Sequence, residues 1–256
     1  MGSNRAQKLD PYRFLVWALL EESRAFPLVH HIFEIDFTGV DKFRAGYEEE
    51  TGRRPSYVAC TLFAISRVLK QHPKFNSYLR TFPTTRLTTY DDVDIVFTVE
   101  RWEDGKPFVF LDRIREADKK GLNAFIERLQ EASRRSVAEY RRRMMTDYVL
   151  RIPRFLRRPL YKIFIAAYPE RMKLIFGTTS FTSAGKFGTT IIIARAPRTA
   201  TFTLGLIRKR PIVRDDKVVA ANTGYVTISY DHRVADGAEV ARLGNELRFF
   251  IEHFEA

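Results

Sequence analysis

One stretch of the chain has residue types that fit proton transfer. Residues Tyr230 to Gly237 are Tyr-Asp-His-Arg-Val-Ala-Asp-Gly, which places His232 four positions before Asp236. A neutral imidazole can take a proton from a thiol or a hydroxyl near neutral pH. The same residues also fit a salt-linked turn, in which Asp236 caps a helix and His232 is solvated. The secondary structure on either side of the stretch is therefore needed to decide whether His232 is a general base or part of a structural turn.

The flanking residues predict a strand before His232 and a helix after it. Residues 224–230 alternate and are rich in β-branched and aromatic side chains, a pattern typical of a strand. After Gly237, apolar residues recur at helical spacing, at Val240, Leu243, Leu247 and Phe250. We therefore expect His232 where a strand ends and a loop begins, with Asp236 as the N-cap of the next helix.

Length and composition indicate one globular α/β domain. The chain has 256 residues, of which 45% are hydrophobic and 29% charged. Its single cysteine, Cys60, lies in an apolar helical stretch and excludes both a disulfide framework and a cysteine metal site. With no signal-peptide pattern and no apolar run that could span a bilayer, we expect a reducing, cytoplasmic setting. The net charge of +12 favours anionic partners.

The pattern along the chain predicts a flexible tail over residues 1–9 and one domain over residues 10–256. His30 and His31 lie on opposite faces of a predicted strand, so they cannot share a metal, and no metal site is predicted. The predicted helices are Asp10–Phe26, with Pro11 at its start, then 40–50, 56–72 and 116–144. The predicted strands before residue 224 are 28–37, 92–102, 108–114, 189–194 and 201–208, together with the two arms of a hairpin around Asp215-Asp216.

Residues 134–173 form the most basic segment. They contain 12 Lys and Arg side chains, against the acids Glu139, Asp147 and Glu170. Between Pro153 and Pro169 the cations are interleaved with large apolar residues. One interpretation is a short helix packed on the domain with its arginines in water. The other is a helix that docks on a membrane surface or a partner protein.

The motif Asp-His-Arg-x-x-Asp-Gly, entered from a strand and left by a helix, resembles the active-site signature of the dihydrolipoyl acyltransferase cores of 2-oxoacid dehydrogenase complexes. A shorter form marks chloramphenicol acetyltransferase. Four further stretches are similar to that family in the same order, at residues 22–24, 90–95, 114–122 and 177–188. The resemblance covers about residues 10–255, except for the basic helical insertion within 134–173.

This resemblance implies a chloramphenicol acetyltransferase-like fold, a mixed sheet covered by helices in a single α/β (layered α+β) domain. It also implies a homotrimer with active sites at the subunit interfaces. His232 would be the general base and Thr182 the hydroxyl that stabilises the oxyanion. Asp236 would hold the histidine loop. Ser183, Gly185 and Arg233 would contact coenzyme A, an acyl-CoA substrate, and no metal or covalent nucleophile is implied.

Three departures from the family pattern bear on this interpretation. No lipoyl or subunit-binding domain precedes the core, so a free-standing enzyme without its own lipoyl attachment is expected. Trp17-Ala18-Leu19 replaces a pair of arginines, which leaves Arg13 and Arg24 as candidate partners of Asp236. Arg195-Ala196-Pro197 stands where the family has Asn-Pro-Pro, so the acceptor or the channel wall is expected to differ.

The sequence therefore predicts a coenzyme A-dependent acyltransferase whose acceptor is a lipoyl-like thiol or a hydroxyl. The alternative is a non-catalytic trimeric scaffold that keeps the fold and binds partners. Expected partners are further copies of the chain, with a larger shell left open, and an acidic carrier or lipoyl protein. Membrane-surface contact is left open as well. The absence of any recognised nucleic-acid module argues against nucleic acid as a partner.

Overall fold

The computed structural model describes residues 17, 20, 21, 23, 24, 26–143 and 151–256. The expected tail over residues 1–9 lies outside the described residues. So do the expected helix start at Asp10 and Pro11, and the candidate cation Arg13. Asp147 of the basic segment lies outside them too.

A seven-stranded mixed sheet forms the centre of the fold. Its order is β1-β9-β7-β6-β4-β5, with β8 paired to β9, and β4, β6 and β7 run parallel while the other pairs are antiparallel. The strands are β1 Leu28–Asp36, β4 Ile95–Glu103, β5 Lys106–Ile114, β6 Thr179–Ser183, β7 Ala200–Leu204, β8 Arg208–Arg214 and β9 Lys217–Asp231. A separate hairpin pairs β2 Ser77–Arg80 with β3 Arg86–Thr89.

Helices cover one face of this sheet and enclose the main core. The helices are α1 Thr38–Thr51, α2 Tyr57–Gln71, α3 Leu122–Arg134, α4 Val137–Arg143, α5 Arg154–Tyr161, α6 Pro169–Phe176 and α7 Gly237–Glu252. The core cluster joins α2 and α7 to the sheet, through side chains such as Leu62, Leu247, Phe202 and Ile228. None of the described helices is long and apolar enough to cross a bilayer. The expected mixed sheet covered by helices is confirmed.

The other face of the sheet carries hydroxyl side chains. Thr203 and Thr227 are buried there, while their strand neighbours point into the core. Residues 189–194, which we predicted to be a strand, instead cross this face without pairing in the sheet. The Thr203 hydroxyl donates to Ile192 O at 2.6 Å, so a side chain takes the place of a ladder hydrogen bond. That prediction was wrong because an alternating sequence pattern indicates which side chains are buried, but not whether the backbone pairs with another strand.

The long helix predicted over residues 116–144 is divided into α3 and α4. Arg135 has extended backbone angles and ends the first helix. Ser136 then starts the second, because its hydroxyl accepts the Glu139 N–H at 3.2 Å and the Glu139 carboxylate accepts the Ser136 N–H at 2.8 Å. This reciprocal capping box is a sequence signal, Ser-x-x-Glu, that marks a helix start. The β2–β3 hairpin was also not predicted, since strands of four residues carry little periodicity.

Two glycines in α1 give a matched test of the contact between α1 and α7. A Cβ added to Gly39 would lie 2.1 Å from the Glu252 carbonyl oxygen, whereas nothing lies within 4 Å of one added to Gly46. We expect Gly39→Ala to lower the free energy of unfolding by about 2 kcal/mol, because backbone must move. Gly46→Ala should raise it by about 0.5–1 kcal/mol. Urea denaturation measures both, and equal effects would contradict the close approach.

Candidate active site

The predicted strand, loop and helix around His232 are confirmed. Strand β9 ends at Asp231 and α7 begins at Gly237, with Asp236 at its N-cap position. The Glu239 carboxylate accepts a hydrogen bond from the Asp236 backbone N–H at 3.0 Å. The loop that carries His232 is therefore fixed at its far end by a helix cap.

His232 is held by its backbone and leaves its ring accessible. The His232 N–H donates to Pro27 O at 3.0 Å, which ties the loop to the residue before β1. The side chain is 45% exposed, and its Nδ1 lies 3.9 Å from Asp236 Oδ1, beyond hydrogen-bond distance. The Asp236 carboxylate is itself largely in water. Asp236 therefore does not fix the imidazole orientation within this chain.

A buried ion pair orders the same loop. The Asp231 carboxylate is fully buried and accepts from Arg233 Nε at 2.9 Å on one oxygen and from the Arg233 terminal nitrogen at 2.6 Å on the other. These hydrogen bonds raise the pKa of the Arg233 guanidinium. The sequence had left the cation near Asp236 open between Arg13 and Arg24. In the structure Arg24 pairs with Glu21 at 3.1 Å, and Arg13 lies outside the described residues.

The residues predicted for the oxyanion lie at the end of β6. The Thr182 hydroxyl is 2.7 Å from that of Thr98 on β4. The Ser183 hydroxyl donates to Leu204 O at 2.8 Å, so its one proton is engaged within the chain. Gly185 permits a close backbone approach, because a Cβ there would be 2.6 Å from Gly205 O. The Thr98 contact was not predicted, since nothing local to Thr182 indicates which residue lies on the adjacent strand.

The strand register places Thr182 far from His232 within one chain. Thr182 lies opposite Thr203, and Thr203 lies opposite Thr227. Thr182 is therefore level with a position five residues before His232 and two strands away. At about 3.3 Å per residue and about 4.8 Å between strands, the two residues are roughly 19 Å apart. One chain alone cannot bring both side chains to one reacting atom.

A buried arginine beside the loop was missed by the sequence analysis. Arg198 is 6% exposed and donates to Pro197 O at 2.7 Å and to Phe176 O at 3.1 Å. Its Nε has no hydrogen-bond partner among the described residues, and burial lowers the pKa of its guanidinium. Thr199 O accepts the Asp231 N–H at 3.0 Å, which places Arg198 next to the His232 loop. The charge noted at Arg195 is instead exposed, and Arg195 donates to Ser23 O at 3.2 Å.

The two adjacent histidines of β1 have separate surroundings. His30 Nδ1 lies 2.8 Å from the buried Ser229 hydroxyl, and burial lowers the His30 pKa. His31 packs edge-on against the Tyr230 ring at 5.4 Å. Within the described residues, no three His, Cys, Asp or Glu side chains come together in a way that could hold a metal ion.

The sheet, the position of His232 after β9 and the turn after β6 agree with the acyltransferase catalytic domain that the sequence resembles. The family model described as "2-oxoacid dehydrogenases acyltransferase (catalytic domain)" matches residues 2–142 and 172–256, and the chain belongs to this family. The unmatched residues, 143–171, lie within the basic segment for which the sequence showed no counterpart. The membership of this acyltransferase family that the sequence led us to expect is therefore confirmed.

The relatives are components of 2-oxoacid dehydrogenase complexes. The chain is 37% identical over 87 residues, a third of its length, to the lipoamide acyltransferase component of the branched-chain alpha-keto acid dehydrogenase complex of Caenorhabditis elegans. It is 23% identical over 215 residues, 83% of its length, to the dihydrolipoyllysine-residue succinyltransferase component of the 2-oxoglutarate dehydrogenase complex of Buchnera aphidicola. The chain spans 19% and 43% of these two relatives.

Solved structures confirm the fold. A probable dihydrolipoamide acetyltransferase from Listeria monocytogenes superposes with a TM-score of 0.73 at 19% identity, over 97% of this chain and 94% of that one. Azotobacter vinelandii dihydrolipoamide acetyltransferase superposes with a TM-score of 0.73 at 20% identity, over 98% of this chain and 92% of that one. That enzyme was studied for the role of a serine, a histidine and an asparagine in catalysis. A chloramphenicol acetyltransferase superposes with a TM-score of 0.51 at 16% identity, over 96% of this chain and 99% of that one. The expected chloramphenicol acetyltransferase-like fold is therefore confirmed.

The Asp231–Arg233 pair gives a test that depends on which partner is buried. Asp231 is almost inaccessible, whereas about a third of the Arg233 side chain reaches water. Arg233→Gln should cost about 3 kcal/mol of folding stability, because it leaves a buried carboxylate unpaired. Asp231→Asn should cost about 1 kcal/mol, since the released guanidinium can be solvated. Chemical denaturation of both variants measures the difference, and a larger loss for Asp231→Asn would contradict this account.

Proposed function

We propose that this chain transfers an acyl group between coenzyme A and a thiol or hydroxyl acceptor, with His232 as the general base. The observation that carries the proposal is the state of His232. Its backbone is fixed by Pro27 and by the ordered loop, while its half-exposed ring lies 3.9 Å from Asp236, too far for a hydrogen bond. A base needs this combination of a fixed position and a ring nitrogen free to receive a proton.

When the acceptor is a thiol, the acyl group passes directly from the sulfur of coenzyme A to the sulfur of the acceptor. His232 takes the proton from the acceptor thiol, and the sulfur attacks the carbonyl carbon of the acyl-coenzyme A thioester. The tetrahedral intermediate collapses as the bond from that carbon to the coenzyme sulfur breaks. The coenzyme thiolate then recovers the proton from the imidazolium, so no group stays attached to the protein and no metal is needed.

Thr182 is the proposed donor to the oxyanion, acting from a neighbouring copy of the chain. Within one chain it is roughly 19 Å from His232 by strand geometry. In the arrangement we propose, the chains form a closed ring in which the His232 of one copy faces the Thr182 of the next, and symmetry repeats this pair at every interface. The hydroxyl of Thr98, 2.7 Å away, orients the Thr182 hydroxyl. A donor positioned in this way typically contributes about 10²–10³ in rate.

The residues studied in the Azotobacter vinelandii enzyme support this assignment. That work concerns a serine, a histidine and an asparagine four positions after the histidine. Here His232 is followed four positions later by Asp236, and Thr182 supplies a hydroxyl of the same kind as serine. Asp236 is a further proposed site residue, because its exposed carboxylate lies 3.9 Å from the His232 ring.

Ser183, Gly185 and Arg233 remain the predicted contacts of coenzyme A. Gly185 packs against the Gly205 backbone, which leaves no room for a side chain and keeps the turn after β6 close to the end of β7. The Arg233 guanidinium is engaged by Asp231 and the Ser183 hydroxyl by Leu204 O. Each would therefore act by holding the channel wall in place, with its remaining hydrogen-bonding capacity directed to the coenzyme.

Replacing the proposed base should remove activity without unfolding the protein. We expect His232→Ala to lower kcat for thioester exchange between acetyl-coenzyme A and dihydrolipoamide by about 10²–10⁴. His253→Ala, at an exposed helix end, is the matched control and should keep wild-type kcat. Stopped assays that quantify acetyl-coenzyme A and acetyl-dihydrolipoamide measure the exchange. Turnover of His232→Ala near that of wild type would contradict the mechanism, and an inactive wild type would favour the non-catalytic scaffold.

Mixed assemblies test whether one site uses two subunits. Both His232→Ala and Thr182→Ala should be nearly inactive alone. Co-expressed with two different affinity tags and purified through both, they should recover about a third of wild-type activity, since every trimer that contains both variants has one of its three interfaces with both side chains intact. Light scattering should show a trimer. No recovery in a verified mixed assembly would show that the two residues do not serve one shared site.

A further inference from the structure

Residues 151–176, here called the outer segment, are anchored firmly to the domain on one side. Helix α5 continues into a π-helix, Lys162–Ala166, and α6 follows. The inner side packs on the β2–β3 hairpin region, where the Tyr78 hydroxyl donates to Ala166 O at 3.0 Å and the Tyr90 hydroxyl donates to Pro169 O at 2.8 Å. Met172 is buried in the same cluster. The outer segment is therefore a fixed part of the fold.

The outward side of this segment is apolar as well. Phe155 is 78% exposed and Leu174 is 60% exposed. Four more large apolar side chains of the segment are exposed with them, Leu156, Ile163, Phe164 and Ile175. Phe155, Pro159 and Ile163 are exposed and follow one another at helical spacing, so they form one stripe along α5 and the start of the π-helix, with Leu156 and Phe164 beside it. A helix at the surface of a protein in water normally has a polar outer face, whereas here large apolar side chains are exposed beside the cations Arg158 and Lys162.

Cations surround the apolar stripe. The outer segment contains seven Lys and Arg side chains and a single acid, Glu170. Lys162 lies between the exposed apolar residues in sequence and is itself exposed. Arg171 donates to Phe164 O at 2.7 Å and lies over the Tyr168 ring at 4.4 Å, so it is held beside the stripe. Long cationic side chains next to apolar groups can reach a charged layer while their stems stay in an apolar one.

We propose that the outer segment docks on the surface of an anionic lipid bilayer. Interfacial helices combine a buried apolar face with cations that contact anionic headgroups, and both parts are present here. The apolar groups project from convex helices, a shape suited to insertion between headgroups. Self-association through the same surface would bring two strongly cationic segments together, in a chain whose net charge is already +12.

Vesicle flotation with the full chain tests the docking. Wild type should bind vesicles of phosphatidylcholine with phosphatidylglycerol about tenfold or more tightly than vesicles of phosphatidylcholine alone, and added salt should weaken the binding. The apolar variant combines Phe155→Ser, Ile163→Ser and Phe164→Ser. Its matched control combines Trp102→Ser, Val213→Ser and Val218→Ser, which remove exposed apolar groups from two hairpins far along the chain.

The charge is tested in the same assay. One variant combines Arg158→Gln and Lys162→Gln, and its control of equal net charge combines Arg208→Gln and Lys209→Gln on β8. We expect both outer-segment variants to lose about tenfold or more of the binding to anionic vesicles, and both controls to retain it. Unchanged circular dichroism would confirm that the variants fold.

Three outcomes would overturn the proposal. Wild type could fail to bind anionic vesicles at low salt. The apolar variant could bind as tightly as its control, which would show that overall charge is the cause. The outer-segment variants could lose retention on an acidic lipoyl-type carrier domain while no form binds vesicles, which would assign the surface to a protein partner. Acyl transfer is not part of the assay, so failure of the proposed enzyme mechanism leaves this test intact.

Discussion

The position of His232 depends on the buried carboxylate of Asp231. A carboxylate removed from water costs several kcal/mol unless it is paired and fully hydrogen-bonded. Arg233 satisfies it with its guanidinium and with its own backbone N–H at 3.1 Å, and both bonds require the chain to turn immediately after β9. The residue between them, His232, is thereby directed outward. The hydrogen bond from its N–H to Pro27 O fixes the other side of the turn.

The parts of this arrangement that are local in sequence were predictable. Alternation into Tyr230, helical spacing after Gly237 and an acidic N-cap each follow from neighbouring residues. The sequence did not show which aspartate pairs with Arg233, because Asp231 and Asp236 lie two and three positions from it. Burial decides between them. Asp231 lies in the sheet opposite Leu28 of β1, while Asp236 lies in solvent at the start of α7.

Contacts between distant parts of the chain could not be predicted. Thr98 and Thr182 are 84 positions apart, and only the parallel pairing of β4 with β6 brings their hydroxyls together. The basic segment posed a related difficulty. Its sequence showed that apolar and cationic residues were mixed but not which of them would face outward. That depended on the β2–β3 hairpin, whose tyrosines hold the inner side and which sequence periodicity did not reveal.

Arg198 connects the outer segment to the His232 turn. Within the part of the chain that the structure describes, no carboxylate pairs with the buried Arg198 guanidinium, which is costly. Arg198 nevertheless holds the end of α6 through Phe176 O and lies over the Phe176 ring at 5.0 Å. Its neighbour Thr199 accepts the Asp231 N–H and donates to Ser77 O at 2.7 Å. The end of α6, the start of β7, the hairpin and the histidine turn therefore meet around one cation. Because these contacts fix the outer segment relative to His232, a bilayer bound to that segment would hold the His232 loop at a set distance and orientation from the lipid surface.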